Sequence, residues 1–247
     1  MTFRKIAALV LFDLAALLIV AALVALSVWQ FQRRAWKLDL IARVEAHVHA
    51  PAVPAPGPEE RPGISAAAAY RRVAITGKWA GDPPALVRAV TEHGGGYWVM
   101  APFLRDDGTT VIVNRGFVPS DRRDPASWRP LPGRADSVTG LLRLTEPRGT
   151  LLQTNDPATD RWYSRDVQEI AEARGLRNVV PYFIDAERQP GEEGIPIAGL
   201  TVLTFSNNHL SYALTWAALA VMAAGGALFV HIDVLRGRRT RLDADGG

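Results

Sequence analysis

The chain has 247 residues, of which 48% are hydrophobic, and a formal net charge of +3. This length accommodates one medium-sized domain together with membrane segments. There is no cysteine, which excludes disulfides, iron–sulfur ligation and thiolate-based copper or zinc transfer. The middle of the chain carries neither a basic stripe nor a nucleic-acid motif, so no nucleic-acid partner is predicted.

The first apolar run extends from Ile6 to Val28 and follows two basic residues. It is longer than the ~7–15 residues of a signal-peptide core, and no small-residue cleavage site follows it. We therefore predict a transmembrane helix over residues 6–29 after a cytoplasmic segment, 1–5, with Trp29 in the interfacial aromatic belt. Asp13, inside the run, is expected to reach headgroup water near the inner interface.

The segment after the first span is predicted to stay helical. Residues 30–50 contain no glycine or proline and favour a juxtamembrane helix. Residues 51–63, rich in proline, are predicted as a linker in extended polyproline-like geometry. Four polar residues of the juxtamembrane helix are spaced to share one face: Gln30, Arg33, Arg34 and Lys37.

The second apolar run begins near Phe205 and has no ionisable side chain between His209 and His231. It predicts a second span over residues 206–231. The arginine-rich tail, 232–247, places the C-terminus in the cytoplasm, and two spans place the N-terminus there too. The central domain is then periplasmic, and the absence of an arginine- and serine-rich leader favours a bacterial inner membrane.

Between the spans, residues 64–205 contain short segments with a period of two, separated by glycine and proline. We predict turns at Gly94–Gly96 and at Asn114–Gly116, and one short helix over 166–174. The predicted fold class is a two-span α-helical membrane protein with an extramembrane β-rich domain, mostly antiparallel and α+β, between the spans.

Four sequence blocks follow one another in a characteristic order. They are VWQFQRRAWK at 28–37, YWVMAPFLRDDGTTVIVNRGFVP at 97–119, TNDPATDRWYSRD at 154–166 and FSNNHLSYALTWAALA at 205–220. This order resembles the SURF1/Shy1 family, whose members are assembly factors for haem a-containing cytochrome c oxidase. Two positions depart from the family pattern: Ser27 stands where a glycine is common, and Ile197-Ala198-Gly199 stands where the family favours a proline and paired small residues.

The resemblance implies a protein without enzymatic activity that binds haem a transiently and assists its insertion into the catalytic subunit of a haem–copper oxidase. It implies that subunit as a partner, haem a synthase as a further candidate partner, and the lipid bilayer as the environment. It also implies His209 as the axial ligand of the haem iron.

The residues around His209 are compatible with this role. Tyr212 and Trp216, three and seven positions later, continue an aromatic face below the imidazole. Trp29 and Gln30 of the first span are expected at the same level if the spans pack antiparallel. An imidazole can supply an axial ligand to iron. An interfacial histidine is also commonly an anchor or a structural hydrogen-bonding group, and the residues alone leave both roles open.

Haem propionates would need cations at the water-facing edge. Arg33, Arg34 and Lys37 are candidates, and Arg115 joins them if its turn faces the membrane. The alternatives are that the first three contact lipid phosphates and that Arg115 is a turn residue tied to a neighbouring carboxylate.

Two other classes of function are open on the sequence. A haem-independent scaffold would stabilise an oxidase assembly intermediate without touching the cofactor. A membrane-anchored hydrolase would need a converging Ser, His and Asp set, and the chain lacks the common hydrolase and nucleotide-binding motifs. His47 and His49 form a weak H-x-H metal signal in a segment predicted to be mobile.

Overall fold

The computed structural model describes residues 3–81, 83–128, 136–147, 153–201 and 207–245. The chain divides into two compact units. The helical unit comprises Met1–Ala42 and Thr204–Gly247, and the β unit comprises Arg43–Leu203.

Two long helices supply the helical unit. Helix α1 spans Phe3–His49, and its last residues belong to the β unit; helix α3 spans His209–Asp245. Each helix contains a stretch that is long and apolar enough to cross a membrane, within Ile6–His49 and His209–Arg236. The predictions of a membrane helix on each side of the β-rich domain and of an unbroken helix beyond Trp29 are confirmed.

The two helices of the helical unit pack along faces with a repeat of three and four residues. Such a repeat of about 3.5 residues keeps one face of each helix toward its neighbour. The least exposed positions are Ser27, Gln30, Ala213 and Ala220, while large apolar side chains such as Leu18 and Phe229 are about 70% exposed on the outer faces. On α1 the row runs through Leu9, Asp13, Ala16, Val20, Leu23, Ser27, Gln30, Arg34 and Lys37; on α3 it runs through His209, Ala213, Trp216, Ala220, Ala223, Ala227, His231 and Val234.

The β unit contains a mixed seven-stranded sheet with the order β1-β2-β6-β7-β5-β4-β3. The pairs β1–β2 and β5–β7 are parallel and the other pairs are antiparallel, so the predicted mostly antiparallel arrangement is confirmed. The strands are β1 Val53–Pro54, β2 Arg72–Trp79, β3 Ala85–Thr91, β4 Gly94–Arg105, β5 Thr110–Pro119, β6 Asp136–Leu144 and β7 Val179–Ala186.

The sheet closes on itself through strand β4. The first part of β4 pairs with β3, and its last residues, Phe103–Arg105, pair with β2. Strands β2, β6, β7, β5 and β4 therefore form a ring. The interior is filled by side chains with no solvent exposure, including Phe103, Val111 and Tyr182.

A second core lies on the outer face of the ring under helix α2, Val167–Ala173. Trp162 and Ile170 pack there with Phe183 of β7. The side chain of Asp166 caps the helix by accepting hydrogen bonds from two backbone N–H groups, as its position before the first helical turn favours. The predicted short helix is confirmed.

Both predicted glycine turns are wrong. Residues Asn114–Gly116 lie inside β5, because the Asn114 side chain bonds across the sheet and Gly116 bends the strand at a φ of 126° without ending it. Gly94–Gly96 begin β4, and the preceding turn is formed by Glu92 and His93.

The prediction of an extended linker over residues 51–63 is also corrected. Val53 and Pro54 pair in parallel with β2, Ala55 is buried in the ring core, and Pro58–Gly63 form a 3₁₀ helix. The Arg105 guanidinium donates hydrogen bonds to the carbonyls of Ala55 and Pro56. The segment is thus built into the domain because its backbone completes the sheet edge.

Candidate functional site

A half-buried polar contact joins the two helices near the start of α3. His209 Nδ1 lies 2.8 Å from Gln30 Oε1, and Gln30 is only 9% exposed. An amide oxygen accepts hydrogen bonds and cannot donate them, so Nδ1 carries the proton and donates. Nε2 then keeps its lone pair. Metal-ligating histidines commonly show this arrangement, with one ring nitrogen held by an acceptor and the other free to bind.

A second contact joins the helices one turn before Gln30 on α1 and one turn after His209 on α3. There, Ser27 bonds directly to the backbone of α3. Its hydroxyl donates to the carbonyl of Ala213 over 2.9 Å, and Ala213 is fully buried. Small side chains at this contact allow the backbones to approach closely. The departure from the family glycine at position 27 therefore preserves close packing and adds an interhelical hydrogen bond.

A further polar atom lies just before α3. The Oδ1 atom of Asn207 is buried and has no hydrogen-bond partner among the described residues. It is an unsatisfied acceptor two residues before His209, where it can receive a donor from a ligand. Asn207 was not among the predicted site residues, although the polar run Ser206-Asn207-Asn208 at the entrance to an apolar helix was the available signal.

The predicted aromatic residues occupy different faces of the helix pair. Trp216 is half-buried in the same row as His209. Trp29 and Tyr212 are 53% and 56% exposed, on the outer faces. The structure therefore brings Trp216 into the packed row and leaves the other two rings open to the surroundings.

The structure also places the predicted cations in different surroundings. Arg34 and Lys37 are half-buried and continue the row of Gln30, one and two turns further along α1. Arg33 is exposed, and its guanidinium lies 4.0 Å from the centre of the Trp36 ring. Arg115 belongs to the β unit, where it is buried within β5 with its guanidinium 5.6 Å from the centre of the Trp79 ring.

The other end of the helix pair carries a charged contact that was not predicted from the sequence. His231 Nδ1 lies 3.2 Å from a carboxylate oxygen of Asp13. Asp13 was expected to reach headgroup water; its side chain is 40% exposed and also contacts His231. Pairing offsets the large cost of a single carboxylate within an apolar span. Since both helix ends are joined by these contacts, α1 and α3 run antiparallel.

The β unit contains a buried ionic cluster centred on Asp185, which is 4% exposed. Its carboxylate accepts hydrogen bonds from Asn114 at 2.8 Å, Arg143 at 2.9 Å and Arg165 at 3.2 Å. Glu146 contacts both arginines. Burial lowers the pKa of Arg165, but the nearby charges of Asp185 and Glu146 raise it by more, so the net shift is upward.

This cluster borders a cavity of about 250 Å³ that Trp98 and Thr201 also line. The charges of the Asp185 cluster neutralise one another, so the cluster serves to hold β5, β6 and β7 together. No sequence pattern indicated it, because its members come from segments that meet only in the folded sheet. Asn114 belongs to the Asn-Arg-Gly block, and its role here is structural.

The H-x-H pair does not form a metal site. The ring of His47 approaches the carbonyl of Ala69, whereas His49 contacts Glu45 on its own helix. Within the part of the chain that the structure describes, no group of three or more His, Cys, Asp or Glu residues could hold a metal ion.

Comparison with known proteins agrees with this architecture. The model of the SURF1 family matches residues 17–221. Human Surfeit locus protein 1 is 37% identical over 224 residues, which cover 83% of this chain and 72% of the human protein. The mouse protein of the same name is 36% identical, over 81% of this chain and 69% of its own length. A SURF1-like protein from Monosiga brevicollis is 32% identical, over 89% of this chain and 86% of its own length. The chain therefore belongs to the SURF1 family.

Proposed function

We propose that this protein is a membrane-bound assembly factor for haem a-containing cytochrome c oxidase, which holds haem a transiently and assists its insertion into the catalytic subunit. The observation that carries the proposal is the half-buried His209–Gln30 contact. It fixes the ring orientation and leaves Nε2 free, as a haem-ligating imidazole requires.

The cofactor would supply an iron that accepts a nitrogen ligand. It would also supply a flat apolar surface. His209 would be that ligand, and Trp216, which lies in the same row, would supply an apolar contact, whereas Trp29 and Tyr212 lie on the outer faces. Asn207 Oδ1, which lacks a partner among the described residues, would accept a hydrogen bond from the hydroxyl group of haem a. These residues would bind and orient the cofactor, and the protein would carry out no change in the covalent structure of the haem.

The anionic propionates would pair with cations of α1. Arg34 and Lys37 suit this role best because they continue the row of Gln30. Arg33 is the next candidate, since stacking on Trp36 covers one face of the guanidinium and leaves its N–H edge available. Arg115 is the least suited, because it is buried within β5.

We further propose that both termini lie in the cytoplasm and that the β unit lies in the periplasm, across a bacterial inner membrane. The antiparallel helix pair supports a shared side for the two termini. The arginines of the C-terminal tail support the cytoplasm as that side. The oxidase catalytic subunit would be the partner, with haem a synthase as the candidate source of the cofactor.

The test is purification of the full chain in detergent from cells that make haem a, followed by its visible spectrum. The unchanged protein should carry haem a, and His209→Ala should carry at least about tenfold less, because the axial ligand is lost. His231→Gln, which changes an imidazole about 33 Å further along the same helix, is the matched control and should retain the cofactor. Equal haem contents in all three proteins would remove His209 from this role.

A haem-independent scaffold is the second candidate function. The observation that favours it is the pair Gly225 and Gly226, which have no atom within 4 Å of where a side chain would begin. A helix of another protein could therefore pack closely against this face of α3. A scaffold predicts oxidase assembly in cells that is insensitive to His209→Ala but is reduced by Gly225→Leu with Gly226→Leu.

A further inference from the structure

A row of alternating aromatic rings and guanidinium groups crosses one face of the β unit. Arg88 of β3 and Tyr97 of β4 are directly paired across the two strands, so their side chains lie on the same face. The Arg88 guanidinium lies 5.9 Å from the centre of the Tyr163 ring, and that of Arg123 lies 5.3 Å from the centre of the Tyr97 ring. The order along the row is therefore Tyr163, Arg88, Tyr97, Arg123.

This row forms the floor and walls of a groove. Two adjoining cavities, of about 520 and 340 Å³, share Arg88, Tyr97 and Tyr163 in their walls. The smaller cavity is also lined by Arg123 and Arg161. We call the surface formed by Arg88, Tyr97, Arg123, Arg161 and Tyr163 the arginine–tyrosine groove.

The groove carries an excess of positive charge. No described carboxylate lies within 4 Å of the guanidinium nitrogens of Arg88, Arg123 or Arg161. The acidic residue that lines the smaller cavity, Asp160, already accepts a hydrogen bond from Arg174 at 2.6 Å.

The neighbouring carboxylate of Asp156 is engaged within its own loop. Its pKa is lowered mainly by a hydrogen bond from Thr159 and in part by the charge of Arg161. Arg88 and Arg123 are thus available to an anionic ligand, whereas Arg161 also interacts with Asp156 at more than 4 Å.

The geometry favours carboxylates in an extended chain. A guanidinium beside a tyrosine ring keeps N–H groups that can match a carboxylate in a two-bond contact. Val90, on the edge strand β3, lines the larger cavity and is 87% exposed, so an apolar side chain of a ligand could cover it. An extended acidic peptide could contact the arginines and Val90 together, because the two cavities adjoin along the row.

We propose that the arginine–tyrosine groove binds an extended acidic segment of a partner protein. This interaction goes beyond the proposed haem function and does not depend on His209.

The test uses the full chain in detergent and a fluorescein-labelled decapeptide composed of Glu, Asp and Ala, with fluorescence anisotropy as the readout. The variant Arg88→Gln/Arg123→Gln/Arg161→Gln should bind the peptide at least about tenfold more weakly, because it lacks the three charge-assisted contacts. A matched control removes the same charge from exposed positions elsewhere on the β unit: Lys78→Gln/Arg177→Gln/Arg188→Gln. Binding by this control should change by less than about twofold, and His209→Ala should bind as the unchanged protein does.

A second probe and a second variant show whether the charge of the peptide and the rings of the groove both contribute to binding. A decapeptide with Gln and Asn in place of Glu and Asp should not bind, and Tyr97→Ala should weaken acidic-peptide binding although it removes no charge. Equal peptide affinities for the groove variant and the matched control would overturn the proposal. So would groove-dependent binding to phosphatidylglycerol vesicles without binding to the acidic peptide, since the groove would then recognise lipid.

Discussion

The two units of this protein are held together by different means. The β unit encloses its own core, with aromatic side chains fully buried and a charged cluster neutralised around Asp185. The helical unit presents its large apolar side chains outwards and joins its helices through small residues and a few polar contacts. In the first unit packing determines the structure. In the second, apolar surface gives little discrimination within lipid, so the polar contacts determine which faces meet.

The largest expected effect of a single change lies in the β unit. Asp185→Ala should lower the free energy of unfolding by about 3–5 kcal/mol, because it leaves the buried cations Arg143 and Arg165 without a principal partner. Urea unfolding followed by tryptophan fluorescence measures this change. Glu187→Ala is the matched control, since Glu187 pairs with Arg72 near the surface and its loss should cost less than about 1 kcal/mol. Equal costs would contradict the structural role of the cluster.

The next effect concerns the backbone of β5. Gly116→Ala should lower the free energy of unfolding by about 3 kcal/mol, since the residue has a φ of 126° and a methyl group there would meet the backbone of Ile197. Gly95→Ala, in β4, has no atom within 4 Å of the added methyl group and should cost no more than about 0.5 kcal/mol. The same urea measurement distinguishes the two variants. A loss of free energy of unfolding in Gly116→Ala as small as that in Gly95→Ala would show that β5 and the Ile197 segment are not in close contact.

Changes in the helical unit should be smaller. Asp13→Ala should weaken helix pairing by about 1–2 kcal/mol, because His231 loses its partner within the apolar region. The chain has no cysteine, so the rate of disulfide formation between cysteines introduced at Val20 and Ala220 reports helix pairing without background. These two positions lie two turns from the Ser27–Ala213 contact on both helices. An unchanged rate in the Asp13→Ala protein would show that the Asp13–His231 contact does not stabilise the helix pair.

The smallest effect is expected at Ser27. Ser27→Ala should weaken helix pairing by about 0.6 kcal/mol, the typical contribution of one hydrogen bond between membrane helices. Ser211→Ala, on the exposed face of α3, is the matched control and should leave the crosslinking rate unchanged. If both serine variants crosslink at the same rate, the Ser27 hydroxyl contributes nothing to the pairing.

The sequence indicated those features that depend on local pattern. Two apolar runs of sufficient length predicted the membrane helices, and alternation at Val73 and Ile75 predicted a half-buried strand that the structure confirms. Asp166 and Gly175 marked the ends of α2 because capping is local chemistry.

Features that depend on distant segments were missed or misjudged. Gly116 indicated a turn, but its backbone freedom is used for a close approach to Ile197 within a strand. The partners of Asp13 and Asp185 lie far along the chain, and no periodicity encodes such pairs.

The cations of α1 show how a local pattern can be too coarse. Ordinary helical spacing grouped Arg33 with Gln30 on one face. The same prediction included Arg34 and Lys37; the 3.5-residue repeat of the packed face keeps these two with Gln30 and leaves Arg33 exposed. The choice between these faces depends on the neighbouring helix, which the spacing within α1 does not specify.

The proposed function depends on Gln30 orienting His209 so that its Nε2 atom can bind the iron of haem a. Equilibrium titration of haem a into the detergent-solubilised full chain tests this dependence most directly, with Gln30→Met compared with Gln32→Met on the exposed face of the same helix. We expect about 10–100-fold weaker haem a binding for Gln30→Met, the usual cost of losing the group that orients a metal ligand, and unchanged binding for Gln32→Met. Equal affinities for the two variants would show that Gln30 does not orient the ligand.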